Sequence, residues 1–175
     1  MIKLECKNKF LNRYLSNLLI QKKLISSKDS EDYFSSIYII EHSRFIDLNI
    51  NNVSKKIMLP IDINQFHNKI LEGISEIEIK LGKFLYFPYQ RIIKNNINKK
   101  IYLSDVQNII LSNLILYKKG IDKFDLYNLI WSNDKNISIN KLDTHLTNLK
   151  IHLNSSLSAD FNFQSNNKIL NLIIN

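Results

Sequence analysis

The sequence predicts a mixed chain in two parts, an α/β segment over residues 1–74 and an α+β segment over residues 76–175. Three observations carry that expectation. The first segment alternates β-branched runs with amphipathic helical stretches. Residues 122–153 read as a short helix, a polar turn and a second helix. Residues 161–174 alternate apolar and polar positions around Asn166-Asn167, the pattern of a hairpin.

Taken in order, Ile2 to Cys6 is a short strand. Lys9 to Lys23 places Phe10, Leu11, Tyr14, Leu15, Leu18 and Leu19 on one side, the stripe of an amphipathic helix. Ile37-Tyr38-Ile39-Ile40 is a continuous β-branched and aromatic run, typical of a buried parallel strand. Lys56-Ile57-Met58-Leu59 is another such run, stopped by Pro60. Asp62 then N-caps a helix over about 63–73 that ends at Gly73.

Composition narrows the class. The 175 residues are 45% hydrophobic and 23% charged, the balance of a globular chain. The formal charge of +8 suits an anionic partner. The excess is spread: residues 1–75 carry 11 Lys and Arg against 8 Asp and Glu, and residues 76–175 carry 13 against 8. A single cysteine, Cys6, cannot form an internal disulfide, which fits a reducing cytoplasm. No run approaches the roughly 18 apolar residues of a membrane span. Leu18-Leu19-Ile20 is too short for a signal peptide, and no small-residue cleavage site follows it.

Enzyme chemistry finds no foothold. There is no Ser/His/Asp grouping and no pair of carboxylates in an apolar frame. With Gly73, Gly82 and Gly120 as the only glycines, a phosphate-cradling loop is excluded. His42, His67, His145 and His152 show no metal-ligand spacing, and Cys6 stands alone. No catalytic residue, metal or cofactor is expected.

The second helix of the 122–153 pair is the informative element. Leu142, Leu146, Leu149 and Leu153 recur at +4, +3 and +4, one continuous apolar stripe. The opposite side shows Lys141, Thr144 and Asn148, flanked by Asn140, Thr147 and Lys150. These side chains can donate to phosphates and base edges, and a helix has the width of the DNA major groove. Two helices joined by a short turn, the second polar and outward-facing, form the sequence pattern of a helix-turn-helix.

The segment resembles the winged-helix DNA-binding domain of OmpR/PhoB-type response regulators. The residues that carry the resemblance are Leu142-Asp143-Thr144-His145-Leu146 with Leu149-Lys150, preceded by Trp131 at the end of the upstream helix. Gly82 to Phe87 and Lys99 to Ser104 are similar to the leading antiparallel strands of that family. Leu103-Ser104-Asp105-Val106-Gln107 is similar to the opening of its first helix. The resemblance implies a winged helix-turn-helix over residues 76–175, with Asn140, Lys141, Thr144, Thr147, Asn148 and Lys150 facing double-stranded DNA. It implies that Trp131 packs under the recognition helix, where its edge can also touch the DNA backbone. Asp143 would pair with a nearby Lys or Arg, and His145 would lie against the domain surface. Asn167 and Lys168 would be the wing contacts, with Lys99, Lys100, Lys118, Lys119 and Lys135 available for phosphates. The chain departs from the family in lacking its recognition-helix arginines and its Gly-x-Gly-Tyr wing ending. Asparagine reads adenine through N6 and N7, so Asn140 and Asn148 would favour A/T-rich sites.

Ahead of such a domain, residues 1–74 resemble a truncated receiver. Leu59-Pro60 followed by Ile61 to Phe66 is similar to the stretch before the last receiver helix. Only Glu5 stands where an acidic pair would hold Mg²⁺, and Glu41, followed by His42, stands at the position of the phosphorylated Asp. No phosphorylation switch is expected; the domain would serve as a dimerisation or partner-docking surface, with a small-ligand sensor as the alternative. The resulting expectation is a cytoplasmic, sequence-specific, phosphorylation-independent transcriptional regulator acting as a homodimer. The alternative is a protein-interaction module, docking on RNA polymerase or a signalling protein, that keeps the fold without binding DNA. A third reading is nucleoid-type binding with little sequence preference.

Overall fold

A strand–helix–strand crossover continued by an antiparallel meander builds the first of two units. The computed structural model describes residues 2–21, 34–97, 99–132, 138–158 and 160–175. The chain divides between Ile77 and Glu78. In the first unit β1 (Ile2–Cys6), α1 (Lys9–Gln21), β2 (Ser35–Glu41), β3 (Phe45–Ile50), β4 (Val53–Met58) and α2 (Ile63–Ser75) follow in order. The sheet order is β1-β2-β3-β4, with β1 and β2 parallel and the other pairs antiparallel. Asn8 caps α1 through its side-chain oxygen, which accepts from the Leu11 amide at 3.0 Å. Asp62 caps α2, accepting from the Asn64 amide at 2.8 Å.

Several expectations change here. The runs at 37–40 and 56–59 are not both buried parallel strands: β2 turns back into β3 and then β4, so β4 is antiparallel, and of its residues only Ile57 is buried. β2 is parallel only to β1, and only one of its faces is covered. Ile37 and Ile39 are buried, while Tyr38 and Ile40 on the other face are exposed. The sequence does not predict β3, because Asp47 and Asn49 are weak strand formers. They fall on the uncovered face, and Ile46, Leu48 and Ile50 alternate into the core. α2 runs past Gly73 to Ser75. Gly73 is a packing residue rather than a stop: a Cβ there would lie 2.4 Å from Ile50 Cδ1. Lys22 and Lys23 of the expected first helix lie outside the described residues.

The second unit opens with a four-stranded antiparallel sheet in chain order, β5 (Ile79–Leu81), β6 (Phe84–Phe87), β7 (Ile92–Asn95) and β8 (Lys100–Tyr102). Next come α3 (Asp105–Leu116), β9 (Ile121–Asp122), α4 (Lys123–Ile130) and α5 (Ile139–Leu157), then the hairpin β10 (Phe161–Asn166) and β11 (Ile169–Ile174). β11 pairs with both β10 and β9, so the hairpin is tied to the start of α4. Ser104 and Gln107 form a reciprocal capping box at α3. The core draws Phe84, Tyr86 and Ile93 from the sheet, Ile110 and Leu111 from α3, and Leu126 and Tyr127 from α4.

The hairpin turn is Asn167-Lys168, one residue later than the Asn166-Asn167 turn read from the sequence. Asn166 is the last paired residue of β10, and the turn residues take φ of 48° and 69°. Positive φ at both central positions is the two-residue turn that matches strand twist.

Gly120 and Gly82 separate space from strain. Both have positive φ, but a Cβ at Gly120 would lie 2.4 Å from Ile169 Cγ2, whereas nothing lies within 4 Å at Gly82. Gly120→Ala is expected to cost about 2–4 kcal/mol, from left-handed strain plus overpacking. Gly82→Ala should cost about 1–2 kcal/mol, from strain alone. Urea unfolding midpoints of the two variants check the difference.

Candidate nucleic-acid interface

Burial fixes how α5 is turned. Leu142, Leu149 and Leu153 are 0% exposed, and Leu146 and Leu157 continue their line into the core. The residues left outside are Asn140, Thr144, Thr147, Asn148, Ile151 and Ser155. Four of the residues singled out in the sequence, Asn140, Thr144, Thr147 and Asn148, therefore share one outward stripe. Ile151 and Ser155 extend it. Ile151 is apolar and does not stand out in the sequence as a contact, although its +3 spacing from Asn148 and +7 from Thr144 put it on the same face.

The two lysines of α5 sit at the flanks and are half-buried. Lys141 Nζ lies 4.3 Å from the centre of the Trp131 ring. Lys150 Nζ donates to Asn162 Oδ1 on β10 at 2.9 Å. Trp131 itself C-caps α4 and is half-buried, with its ring centre 4.8 Å from Tyr127 and 5.3 Å from His145. It thus lies beneath the N-terminal half of α5, and His145 turns inward onto it.

Three elements converge at Lys123, the first residue of α4. Its Nζ donates to Asp143 Oδ1 at 2.7 Å, in the second turn of α5. Its amide donates to the Lys168 carbonyl at 3.0 Å, at the hairpin tip. Lys123 is the partner that Asp143 was expected to have. At the other end of α5, Asn154 holds β10: its Nδ2 donates to the Phe161 carbonyl and its Oδ1 accepts from the Phe161 amide, at 3.0 and 2.7 Å. The hairpin therefore runs alongside α5, Phe161 at its C-terminal part, Asn162 at Lys150 and the tip near Asp143.

Asn167 and Lys168 are exposed at that tip. Lys118 and Lys119 are exposed in the turn that enters β9, and Lys99 and Lys100 are exposed at the approach to β8. Lys135 lies outside the described residues.

Among the described residues no group of three or more His, Cys, Asp or Glu could hold a metal ion. Burial pushes the Cys6 thiol above its ordinary range, so little thiolate forms at neutral pH. Burial likewise holds Tyr86 and Tyr89 as neutral phenols. Among the described residues no helix is long and apolar enough to cross a membrane.

Asn154→Ala removes both bonds to Phe161 and strands two buried backbone groups. It is expected to cost about 1–3 kcal/mol. Ser155→Ala, on the outward stripe, should stay within about 0.5 kcal/mol. Chemical denaturation of the pair tests whether Asn154 holds the hairpin to α5. No protein-family model matches this chain, and no curated protein matches it either.

Proposed function

We propose that the C-terminal unit is a winged helix-turn-helix of the OmpR/PhoB type and that the chain is a sequence-specific, phosphorylation-independent DNA-binding regulator. The observation that carries this reading is the pairing of α5 with its hairpin. An outward stripe of hydrogen-bonding side chains lies beside a turn bearing Lys168, with Lys141 and Lys150 on its flanks. The order of elements supports it: four antiparallel strands, a helix, a short strand, two further helices and a hairpin that pairs back to the short strand. In this reading α5 enters the major groove, the lysines meet phosphates, and the Asn167-Lys168 turn reaches the neighbouring groove or backbone.

Input by an aspartyl phosphate is not part of the proposal. Glu41 is exposed at the end of β2, where its carboxylate accepts from Asn8 Nδ2 at 3.1 Å. Glutamate does not form the labile aspartyl phosphate. One module with so few phosphate contacts binds weakly, so two copies on repeated half-sites are expected.

One observation favours a second reading. The outward stripe holds no arginine, and both lysines of α5 are engaged with neighbours. The unit would then be a protein-interaction module docking on RNA polymerase or a signalling protein.

Selection of duplexes from a random pool by the full-length protein, at about 0.1 M salt, decides between them. An enriched repeated motif supports the regulator. Recovery without a motif indicates nucleoid-type binding, and no recovery favours the interaction module. With the selected duplex, Lys141→Glu combined with Lys150→Glu is expected to abolish binding while circular dichroism stays unchanged. Lys168→Ala should lower the log–log salt slope by about 1, since each neutralised phosphate contributes about 0.9.

A further inference from the structure

The outward stripe of α5 is uncharged along its whole length: Asn140, Thr144, Thr147, Asn148, Ile151 and Ser155. The donors of the two threonines are spent inside the helix. Thr144 Oγ1 donates to the Asn140 carbonyl and Thr147 Oγ1 to the Asp143 carbonyl, each at 2.9 Å. What remains for a ligand at those positions is the γ-methyl and an oxygen that can only accept. Ile151, one turn further on, is 60% exposed. An exposed isoleucine alone is ordinary, but here it continues a line of methyl groups flanked by amides and, at the edges, by lysines.

In the major groove of duplex DNA the thymine C5-methyl is the apolar feature of a base edge, and the adenine across from it is the natural partner of an asparagine amide. Guanine is read by a cationic fork, which this stripe does not present. The cations instead flank the stripe, where a polyanion's phosphates would run on either side of a groove.

Building on the reading above, we infer that α5 selects A·T pairs by their thymine methyls. Ile151 and the methyl groups of Thr144 and Thr147 seat on thymine C5-methyls, and Asn148 pairs with an adenine edge. Specificity then rests on apolar contact, and Lys141, Lys150 and Lys168 supply affinity without discrimination.

The test uses the full-length protein, the duplex recovered by selection, and the same duplex with deoxyuridine at every thymine of the bound site. Deoxyuridine keeps the pairing and removes only the methyl. Wild type should bind the deoxyuridine duplex more weakly, by about fourfold for each methyl contacted. Ile151→Ala, at an exposed position that does not threaten folding, should bind the thymine duplex more weakly and shrink the ratio between the two duplexes. Equal binding of both duplexes by wild type, or a ratio unmoved by Ile151→Ala, overturns the methyl readout while leaving DNA binding intact. Failure to recover any duplex overturns the DNA reading itself and the methyl readout with it.

Discussion

The leucine ridge of α5 is the constraint from which the outward face of that helix follows. A buried leucine contributes about 1.5–3 kcal/mol, whereas a single surface hydrogen bond contributes about 0.5–1.5 kcal/mol. Turning the helix by one residue, about 100°, would bring the ridge into water. No rearrangement of amides and hydroxyls could offset that loss. Core packing thus decides which residues face outward, and the polar stripe is the complement of the ridge. Trp131 and Lys123 then lock the N-terminal half of the helix, and Asn154 locks its C-terminal part to β10.

The first unit obeys a different economy. Its sheet is covered on one face by apolar residues of β1, β2, β3 and the two helices, while the other face carries Tyr38, Ile40 and Met58 exposed to solvent. Polar pairs hold order on that open face: His42 Nε2 lies 2.9 Å from Asp47 Oδ2, and Lys56 Nζ sits 4.1 Å from the Phe45 ring centre. Such exposed pairs contribute little to stability. The unit is therefore held chiefly by its inner layer, where Ile37, Leu48, Leu19 and Ile70 are at most 1% exposed.

What could be read from the sequence was what is written locally. The ridge of α5 is visible in leucine spacing alone, and the cap at Asp62 is visible in the identity of its side chain and its neighbours. The hairpin, too, was legible in its alternation. What escaped depends on partners distant in the chain. β3 carries polar residues at alternate positions and becomes a strand because β2 and β4 pair with it on both sides. Gly73 reads as a helix stop in the sequence, whereas in the fold Ile50 fills the space of its missing side chain. The hairpin turn slipped by one residue because the pairing of Ile169 with both Asn166 and Asp122 sets the register, overriding the poor fit of lysine to a left-handed turn. Around α5, the outward stripe is mostly legible, while the roles of Lys123, Asn154 and Asn162 are not, since each acts through a contact between elements.

Asn51, Asn52, Arg91, Ser158, Asn167 and Lys168 all take positive φ without being glycine. Each such residue costs the folded state about 1–2 kcal/mol, asparagine less than the others. In exchange, a chain with only three glycines gives up less backbone freedom when it folds. The two effects nearly cancel: glycine at Arg91 would release left-handed strain and return much of that gain to the freedom of the unfolded chain. The turns of this fold therefore hold their shape through pairing with neighbouring strands, not through glycine.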